Sequence, residues 1–436
     1  MPLKEVHLKQ AVVASELKEA VWEAVIERCC GLDVHQKTVT ACLLAGALDQ
    51  QPGESLRTFS TTTKGLLELR DWLEEHGCSH VAIESTGIYW RPVFHILEDT
   101  VTVLLVNAYH MKQVPGRKTD LKDAQWIARL LRWGLLKPSL IPPRPIRDLR
   151  DLCRYRKKLT EQASAEKNRI QKVLEDANIK LASVVSTVFG VSGRAMLEAL
   201  IQGVMSPEET ADLARRKLRS KIPQLVEALE GRVNEHHRFL MRMQMEHLEY
   251  LEKAIAQLQE RIDEKIKPYQ HEVDLICTTP GIDTIAAQHI FAEIGGDISV
   301  FPSEGHLASW VGICPGNNES AGKRRSGRTT RGNRWLKALL VQCAHGASQT
   351  KGTYLKAFYH RIAARRGKKR AAIAVAHKQT AIIYHELSEG KPYQELGENF
   401  FDLRNQKALE QRLVRRLRGL GYRVDLHPEP VTPQCS

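Results

Sequence analysis

The sequence predicts a mixed α/β domain, followed by a long helical segment and then by a mostly helical C-terminal domain. Three patterns support this fold class. Short apolar runs alternate with helical periodicity over residues 29–140, apolar residues recur at heptad spacing within 141–272, and helical stretches separated by glycine- and arginine-rich turns fill 273–395. Residues 1–28 are predicted to form an N-terminal helical extension, and residues 396–436 a basic tail.

The predicted α/β domain contains three strands followed by helix, strand, helix, strand and helix. The strands are predicted at CCGLDVH, TVTACLLAG, SLRTFST, HVAIEST and VTVLLVN, which are short apolar runs separated by turn-like stretches. The helices are predicted at TKGLLELRDWLEEHG, WRPVFHILED and DLKDAQWIARLLRWG. The proline-rich stretch PSLIPPRP marks the end of the domain.

Two stretches in the middle of the chain have heptad character. Apolar residues follow a three–four alternation from about residue 149 to 177 and again over 248–262, where Glu, Lys, Gln and Arg surround them. This spacing predicts a coiled-coil segment, either as an antiparallel pair of helices or as a seam between subunits. A plain helical bundle within one chain fits the same pattern.

The C-terminal domain opens with TTPGIDTIAAQHIFAEIG, which is typical of a helix-hairpin-helix. In such an element a glycine turn between two helices presents backbone N–H groups to a phosphate. Asp283 stands where a second glycine is commoner. An ordinary corner between two helices is the alternative interpretation.

The charge of the chain indicates a polyanionic partner. Lys and Arg number 64 against 51 acidic residues, a net charge of +13, and neutralised phosphates release counterions. No apolar run is long enough to span a bilayer and no signal-peptide pattern precedes the first domain, so nucleic acid is favoured over a membrane. The nine cysteines include no C-x-x-C pair, which favours reduced thiols in a cytoplasmic protein.

Four carboxylates of the first domain carry the strongest chemical signal. Asp33 and Glu84 end predicted strands, and Asp120 and Asp123 lie three residues apart at the start of a predicted helix. Carboxylates on these elements, in this order, indicate a ribonuclease-H-like nuclease domain. Such a cluster predicts bound Mg²⁺, with Mn²⁺ as the alternative, because grouped carboxylates repel one another without a cation.

Each of these acids also has a structural interpretation when it is taken singly. Asp33 fits a turn after a strand, and Asp120 fits a helix N-terminus. Glu84 is harder to explain in this way, because a carboxylate on a central strand needs a partner or a metal. His35, Lys118 and Lys122 are predicted to support the site without binding the metal.

The segment 310–336, WVGICPGNNESAGKRRSGRTTRGNRWL, predicts a deformable phosphate-binding loop. Its five glycines allow close backbone approach to a ligand. Its six cations, predicted to bind nucleic acid, are Lys323, Arg324, Arg325, Arg328, Arg331 and Arg334. Ser320 precedes them and is a candidate nucleophile, since nearby cations would stabilise the developing charge. A serine used for turn chemistry is the alternative.

Taken together, GLDVH, AIESTG, KTDLKDA, TTPGI and the NNESAG loop resemble the insertion sequence 110 family of transposases, especially its 1111 branch. The resemblance covers about residues 29–390. It implies a RuvC-like D-E-D-D domain that binds Mg²⁺ through Asp33, Glu84, Asp120 and Asp123. It also implies a C-terminal transposase domain in which Ser320 attacks DNA and forms a covalent phosphoserine link.

The same resemblance implies how such a recombinase chooses and handles DNA. Family members bind a structured guide RNA from their own element, which pairs with donor and target DNA, and they act as dimers that assemble into tetramers. The implied setting is the bacterial nucleoid. The N-terminal extension, the tail after residue 395 and Asp283 depart from the family pattern.

Two other functions fit parts of the sequence. A metal-dependent endonuclease or junction resolvase would use only the four carboxylates and leave no protein–DNA adduct. A non-enzymatic nucleic-acid scaffold would use only the basic segments. The complete carboxylate set disfavours the scaffold, and the NNESAG loop disfavours the nuclease.

Overall fold

The computed structural model describes residues 24–85, 87–107, 123–316, 318–320 and 323–426, with the backbone alone described at 318–320 and 323–325. The chain divides between residues 141 and 142 into two compact units, which we describe separately.

The first unit is built on one mixed five-stranded sheet with the order β3-β2-β1-β4-β5. Its strands are β1 (Arg28–Val34), β2 (Thr38–Ala45), β3 (Gly53–Ser60), β4 (His80–Glu84) and β5 (Thr102–Val106). β1 pairs antiparallel with β2 and parallel with β4, and β4 pairs parallel with β5. The predicted order of strands and helices is therefore confirmed in the described residues.

Helices cover both faces of this sheet. α1 (Thr63–Glu75) and α2 (Trp90–Leu97) pack on one face, where alternate β1 residues such as Leu32 join a single apolar cluster. α3 (Asp123–Arg132) packs on the opposite face, whose apolar cluster includes Cys29. Side chains of β1 therefore alternate between the two faces, and every second one lies on the α3 face.

Gly31 permits the unusually close packing of α3 on the centre of the sheet. A Cβ atom at Gly31 would lie 2.3 Å from both the carbonyl oxygen of Ala124 and the amide nitrogen of Ala128. At the other end of α3, the buried guanidinium of Arg132 donates hydrogen bonds to the carbonyls of residues 26, 27, 46 and 47. Both ends of α3 are therefore fixed against the strands.

The second unit begins with two long helices that run antiparallel to each other. They are α4 (Arg144–Asp176) and α9 (Glu235–Ile266). Three contacts show this direction: Asp176 with His237, Glu166 with His247, and Asp148 with Lys265. Residue numbers decrease along α4 while those of the contacting residues increase along α9. Between them lie α5 (Leu181–Val184), α6 (Val191–Gln202), α7 (Pro207–Asp212), a 3₁₀ turn (Arg216–Lys221) and α8 (Ile222–Leu229).

The antiparallel arrangement was one of the two that the heptad pattern predicts. Leu248 and Leu251 are buried in a cluster shared with Ile170 of α4, and Ile262 is buried as well. These heptad positions are therefore filled by packing within the chain. The subunit seam stays a prediction.

The remaining helices of the second unit begin with the two helices of the predicted hairpin. They are α10 (Gln270–Cys277), α11 (Thr284–Ile294), α12 (Glu304–Val311), α13 (Arg334–Gln349), α14 (Tyr354–Arg366) and α15 (Lys368–Glu389), followed by α16 (Phe400–Arg404) and α17 (Gln406–Gly419).

Asp283 caps α11, its carboxylate accepting a hydrogen bond from the Ala286 amide at 2.8 Å. The buried Glu386 accepts hydrogen bonds from Thr278 and Thr279, which fixes the turn. Phosphate binding by this turn stays a prediction.

We predict that Gly31→Ala destabilises the first unit by about 1–3 kcal/mol, because the added methyl group would overlap the α3 backbone. Urea unfolding followed by circular dichroism measures the effect. Gly53→Ala in β3 is the matched control, since its Cβ would meet its nearest neighbour, the Ala45 carbonyl oxygen, at an ordinary 3.5 Å. Equal unfolding midpoints for the two variants would contradict the packing argument.

Candidate functional site

Asp33 and Glu84 lie at the ends of two adjacent parallel strands. Leu32 and Ile83 form the last pair of the β1–β4 ladder, and each carboxylate comes immediately after one of them. Leu32 and Ile83 both face the cluster under α1 and α2. Because side chains alternate along a strand, Asp33 and Glu84 both belong to the α3 face. Neighbouring strands are about 4.8 Å apart, so the backbones that carry these two carboxylates lie side by side.

Asp123 begins the helix that covers this same face. It directly precedes Ala124, whose carbonyl oxygen lies against Gly31, two residues before Asp33. The sequence-predicted acids Asp33, Glu84 and Asp123 are thus placed at one face and toward one edge of the sheet. Asp120, with Lys118 and Lys122, lies outside the described residues.

The immediate partner of Asp33 is His35, whose Nε2 lies 3.3 Å from the Asp33 carboxylate. The His35 side chain is 66% exposed and that of Asp33 is 23% exposed, so solvent reaches the pair. In the part of the chain that the structure describes, no three His, Cys, Asp or Glu side chains form a group that could hold a metal ion. Asp33, Glu84 and Asp123 have the hard oxygen donors that Mg²⁺ prefers, and their roles as ligands stay predictions.

The predicted serine loop is a β-hairpin in the second unit. β6 (Asn318–Ser320) and β7 (Lys323–Ser326) pair antiparallel, with Ser320 opposite Lys323. The ladder continues toward the base of the hairpin through the Pro315–Thr329 bridge and the hydrogen bond from the Gly316 amide to the Arg328 carbonyl. Ser320 therefore stands at the last described pair before the tip of the hairpin. Of the six predicted phosphate-binding cations, the three with described side chains, Arg328, Arg331 and Arg334, are all exposed.

Two of the loop glycines serve packing within the chain. A Cβ atom at Gly332 would lie 2.5 Å from the Gly312 amide nitrogen, and one at Gly312, where φ is +81°, would lie 2.8 Å from the Gly332 amide nitrogen. The chain thus crosses itself at the base of the hairpin with no room for a side chain. The prediction that the glycines make this segment deformable and open to a ligand is wrong at these two positions, because the backbone itself fills the space.

A buried carboxylate fixes the strand that leaves the hairpin. Glu293 of α11 is fully buried and accepts two hydrogen bonds from the guanidinium of Arg154 of α4, at 2.6 and 2.7 Å. It also accepts a hydrogen bond from the side-chain amide of Asn333 at 2.7 Å. The side-chain oxygen Oδ1 of Asn333 in turn accepts hydrogen bonds from the backbone amides of Trp335 and Leu336 and caps α13. One carboxylate therefore joins α4, α11 and the start of α13.

The Glu293 carboxylate is held in its charged form. Burial alone would raise its pKa, but His289, Arg154 and Asn333 oppose this, and the pKa is lowered from 4.5 to about 2. His289 Nε2 lies 3.6 Å away, beyond hydrogen-bond distance, so we attribute most of the effect to the paired contact with Arg154 and to the Asn333 amide. Burial lowers the pKa of His289 itself. Arg150 also lies near, donating to the backbone carbonyls of residues 292 and 293.

Sequence reasoning missed Glu293, Arg154 and Asn333. One signal was present: Glu293 is the single acidic residue in the run TIAAQHIFAEI, and a charge on a buried helix needs a partner. Its partner Arg154 is 139 residues away, and nothing in the sequence identifies it.

Other features of the described residues bear on the predicted class of protein. No helix among them is long and apolar enough to cross a membrane. The eight described cysteines are all free, and six of them are buried. Burial raises the pKa of Cys29 and Cys153 to about 12, so these thiols are protonated at neutral pH.

Two models of transposase families match separate parts of the chain. A model described as a transposase family matches residues 30–179, and a model described as the transposase IS116/IS110/IS902 family matches residues 273–360. The pilin gene-inverting protein of Moraxella bovis is 24% identical over 380 residues, which cover 83% of this chain and 96% of that protein.

Two further relatives are transposases by name. The probable family 20 transposase of Pseudomonas aeruginosa is 23% identical over 336 residues, covering 75% of this chain and 89% of that protein. The transposase for insertion sequence element IS1111A of Coxiella burnetii is 30% identical over 149 residues, covering 30% of this chain and 40% of that protein. The predicted resemblance to the insertion sequence 110 family and its 1111 branch is confirmed at this level.

We predict that Glu293→Gln lowers the free energy of unfolding by about 3–5 kcal/mol at neutral pH, because a buried ion pair loses one partner. The pKa of Glu293 is depressed in the folded state, so its contribution is present above about pH 4.5 and is lost as the pH falls toward 2. Urea unfolding at several pH values should therefore show the difference between the wild type and the variant narrowing in this window.

Glu264→Gln is the control for the loss of one charge. Glu264 is exposed, pairs with Arg261 three residues away on α9, and should contribute about 0.5 kcal/mol or less. A Glu293→Gln effect as small as that of the control, or one that does not change with pH, would refute the proposed role of the buried carboxylate.

Proposed function

We propose, on the premise that this chain is related to the IS116/IS110/IS902 transposases, that it cleaves and exchanges DNA strands to move an insertion sequence. The observation that carries the proposal is the placement of Asp33 and Glu84 side by side at the ends of β1 and β4, on the face that α3 covers from Asp123. Relatives named for inverting a pilin gene support recombination as the broader reaction.

We assign a ribonuclease-H-like fold to the first unit and a metal site to its carboxylates. The central position of β1, with acids on β1, β4 and α3, supports this fold. Asp33, Glu84, Asp120 and Asp123 would hold Mg²⁺ or Mn²⁺, which supplies charge neutralisation at a phosphodiester when it is bound. The exposed His35 would orient the Asp33 carboxylate through its 3.3 Å contact.

Ser320 is the proposed nucleophile. Its hydroxyl loses a proton as Oγ attacks a DNA phosphorus, and the P–O bond to one sugar breaks. The departing sugar oxygen takes up a proton and becomes a hydroxyl group. The phosphoserine ester keeps the energy of the broken bond, so a second DNA hydroxyl can reverse the step, rejoin the strand and release Ser320. The exposed Arg328, Arg331 and Arg334 would neutralise phosphate charge near the base of the hairpin.

The proposed partners follow from the family. Donor and target DNA are the substrates, and a structured guide RNA from the element would select their sequences by base pairing. The protein would recognise the sugar–phosphate backbone and the shape of the paired nucleic acids. We propose that the chain acts as a dimer that assembles into a tetramer. The long antiparallel pair of α4 and α9 would provide a rigid coiled-coil arm for this assembly.

We predict that the protein, its element-encoded RNA and labelled donor and target DNA form a covalent adduct in the presence of Mg²⁺. Denaturing electrophoresis detects the adduct as a labelled band at the position of the protein. Ser320→Ala should abolish the band because it removes the attacking oxygen, and Asp33→Ala should abolish it because it removes a metal ligand. Chelation of the metal should have the effect of Asp33→Ala.

The control variant is Ser326→Ala, which changes the other serine of the hairpin and should leave the band in place. Cleavage that leaves no adduct and is insensitive to Ser320→Ala would indicate a metal-dependent endonuclease and overturn the recombinase proposal. Nucleic-acid binding with no cleavage under any metal condition would indicate a scaffold.

A further inference from the structure

The indole of Trp335 is surrounded by positive charges from two separate helices. Arg154, Lys157 and Lys158 of α4 and Arg334 of α13 all place their charged groups within 6.0 Å of its ring centroid, at 5.5, 5.8, 6.0 and 5.4 Å respectively. The three α4 residues are spaced i, i+3 and i+4, so they lie on one face of that helix. We call Trp335 and these four cations the Trp335 cluster.

Only one member of the Trp335 cluster has its charge neutralised within the described residues. Arg154 pairs with the buried Glu293. Lys157, Lys158 and Arg334 have no carboxylate partner in the described ranges, and Lys158 and Arg334 are exposed. The positive end of the 16-residue helix α13 adds to the same field, because Arg334 and Trp335 are its first two residues.

The unpaired cations of the Trp335 cluster repel one another in the isolated protein. Arg334 also lies at the N-terminus of α13, where a positive charge opposes the helix dipole. Cation–π attraction to the half-buried Trp335 ring opposes this repulsion. A ligand with several negative charges would remove the repulsion, which a single small anion would do only in part.

The Trp335 cluster is also held in place before any ligand binds. Glu293 fixes the Arg154 guanidinium through two hydrogen bonds, and the same carboxylate fixes Asn333, which caps the helix that carries Trp335. The Arg154 guanidinium and the start of the helix that carries Arg334 and Trp335 are thus anchored to one buried group. A surface whose charges are fixed in advance loses less conformational entropy when it binds.

We propose that the Trp335 cluster is a binding site for the sugar–phosphate backbone of a nucleic acid, in which Lys157, Lys158 and Arg334 contact phosphates and Trp335 positions them. This inference rests on the proposed function for the presence of a nucleic acid, but it assigns binding to residues of α4 that lie outside the arginine-rich hairpin. Under this proposal the nucleic acid contacts the pair of long helices in addition to the hairpin.

The test is the salt dependence of binding by the full chain. Fluorescence anisotropy with a labelled DNA duplex, a DNA single strand and an RNA strand of the same arbitrary sequence gives affinity over a range of KCl concentrations. If both lysines contact phosphates, the double variant Lys157→Ala and Lys158→Ala should show a shallower salt dependence. The negative slope of log affinity against log salt should lose about 1.8 of its magnitude for the duplex or about 1.4 for a single strand. The probe that shows the change identifies which nucleic acid occupies the site.

The matched control combines Lys172→Ala with Arg242→Ala. It removes two exposed cations from the same pair of long helices, about 20 Å along α4 from Lys158, and should leave the slope unchanged. Trp335→Ala should weaken binding, whereas Trp335→Phe should restore it, because phenylalanine keeps a ring for the cations. A purely structural role for Trp335 would instead lower the melting temperature without changing the slope.

The outcomes separate this inference from the proposed function. A wild-type protein that binds no probe overturns both. A wild-type protein that binds with a steep salt slope, together with a Lys157 and Lys158 double variant whose slope equals that of the control on every probe, overturns the Trp335 site alone. A shallower salt slope in the Lys157 and Lys158 double variant, with no change in the control, supports the Trp335 site for the probe on which it is seen.

Discussion

The second unit depends on one interaction, the buried contact of Glu293 with Arg154 and Asn333. Taking a carboxylate out of water costs several kcal/mol, and only a partner of opposite charge with good geometry compensates for this. Arg154 meets that need with two parallel hydrogen bonds, and Asn333 supplies a third donor. Because these partners come from α4 and from the start of α13, the first turn of α13 cannot shift without removing a hydrogen bond from the buried carboxylate. The hairpin that carries Ser320 leads directly into this fixed point, so a buried ion pair sets where the proposed nucleophile is presented.

The first unit is held by a steric constraint instead. Gly31 lets the backbone of α3 lie directly on β1, and the buried Arg132 secures the far end of the same helix. This contact brings the start of α3, at Asp123, to the face and edge of the sheet where Asp33 and Glu84 end their strands. A chelating site needs its ligands held to within a fraction of an ångström. The two units thus position their chemical groups by different means, the first by close backbone packing and the second by a buried charge.

Much of the first unit could be predicted from the sequence, because its signals are local. Strand alternation and glycine-terminated helices lie within single short segments, and they gave the order of elements. The same patterns placed Asp33, Glu84 and Asp123 at element ends. The second unit was harder, because its decisive contacts join distant residues. The heptads at 248–262 fit a partner helix in the same chain or in another, and spacing alone does not distinguish them. In the sequence, Gly312 and Gly332 indicate a flexible loop. In the folded chain, a Cβ atom at either glycine would lie within 3 Å of the backbone of the other, and the sequence alone does not show this contact.

The charge of the chain shows the same difference between composition and structure. A net charge of +13 indicates a polyanion but does not say which cations meet it. Arg132 donates to backbone carbonyls, Arg154 is paired with Glu293, and Arg156 is buried with a lowered pKa because burial disfavours its charge. These arginines maintain the fold and are not available to a ligand in the same way as exposed ones. Cations that the fold leaves exposed and without carboxylates, such as Lys158 and Arg334, retain their full attraction for phosphate. The proposed nucleic-acid surface is therefore defined by the charges that the described residues leave uncompensated after folding, and these lie on α4 and α13 as well as in the hairpin.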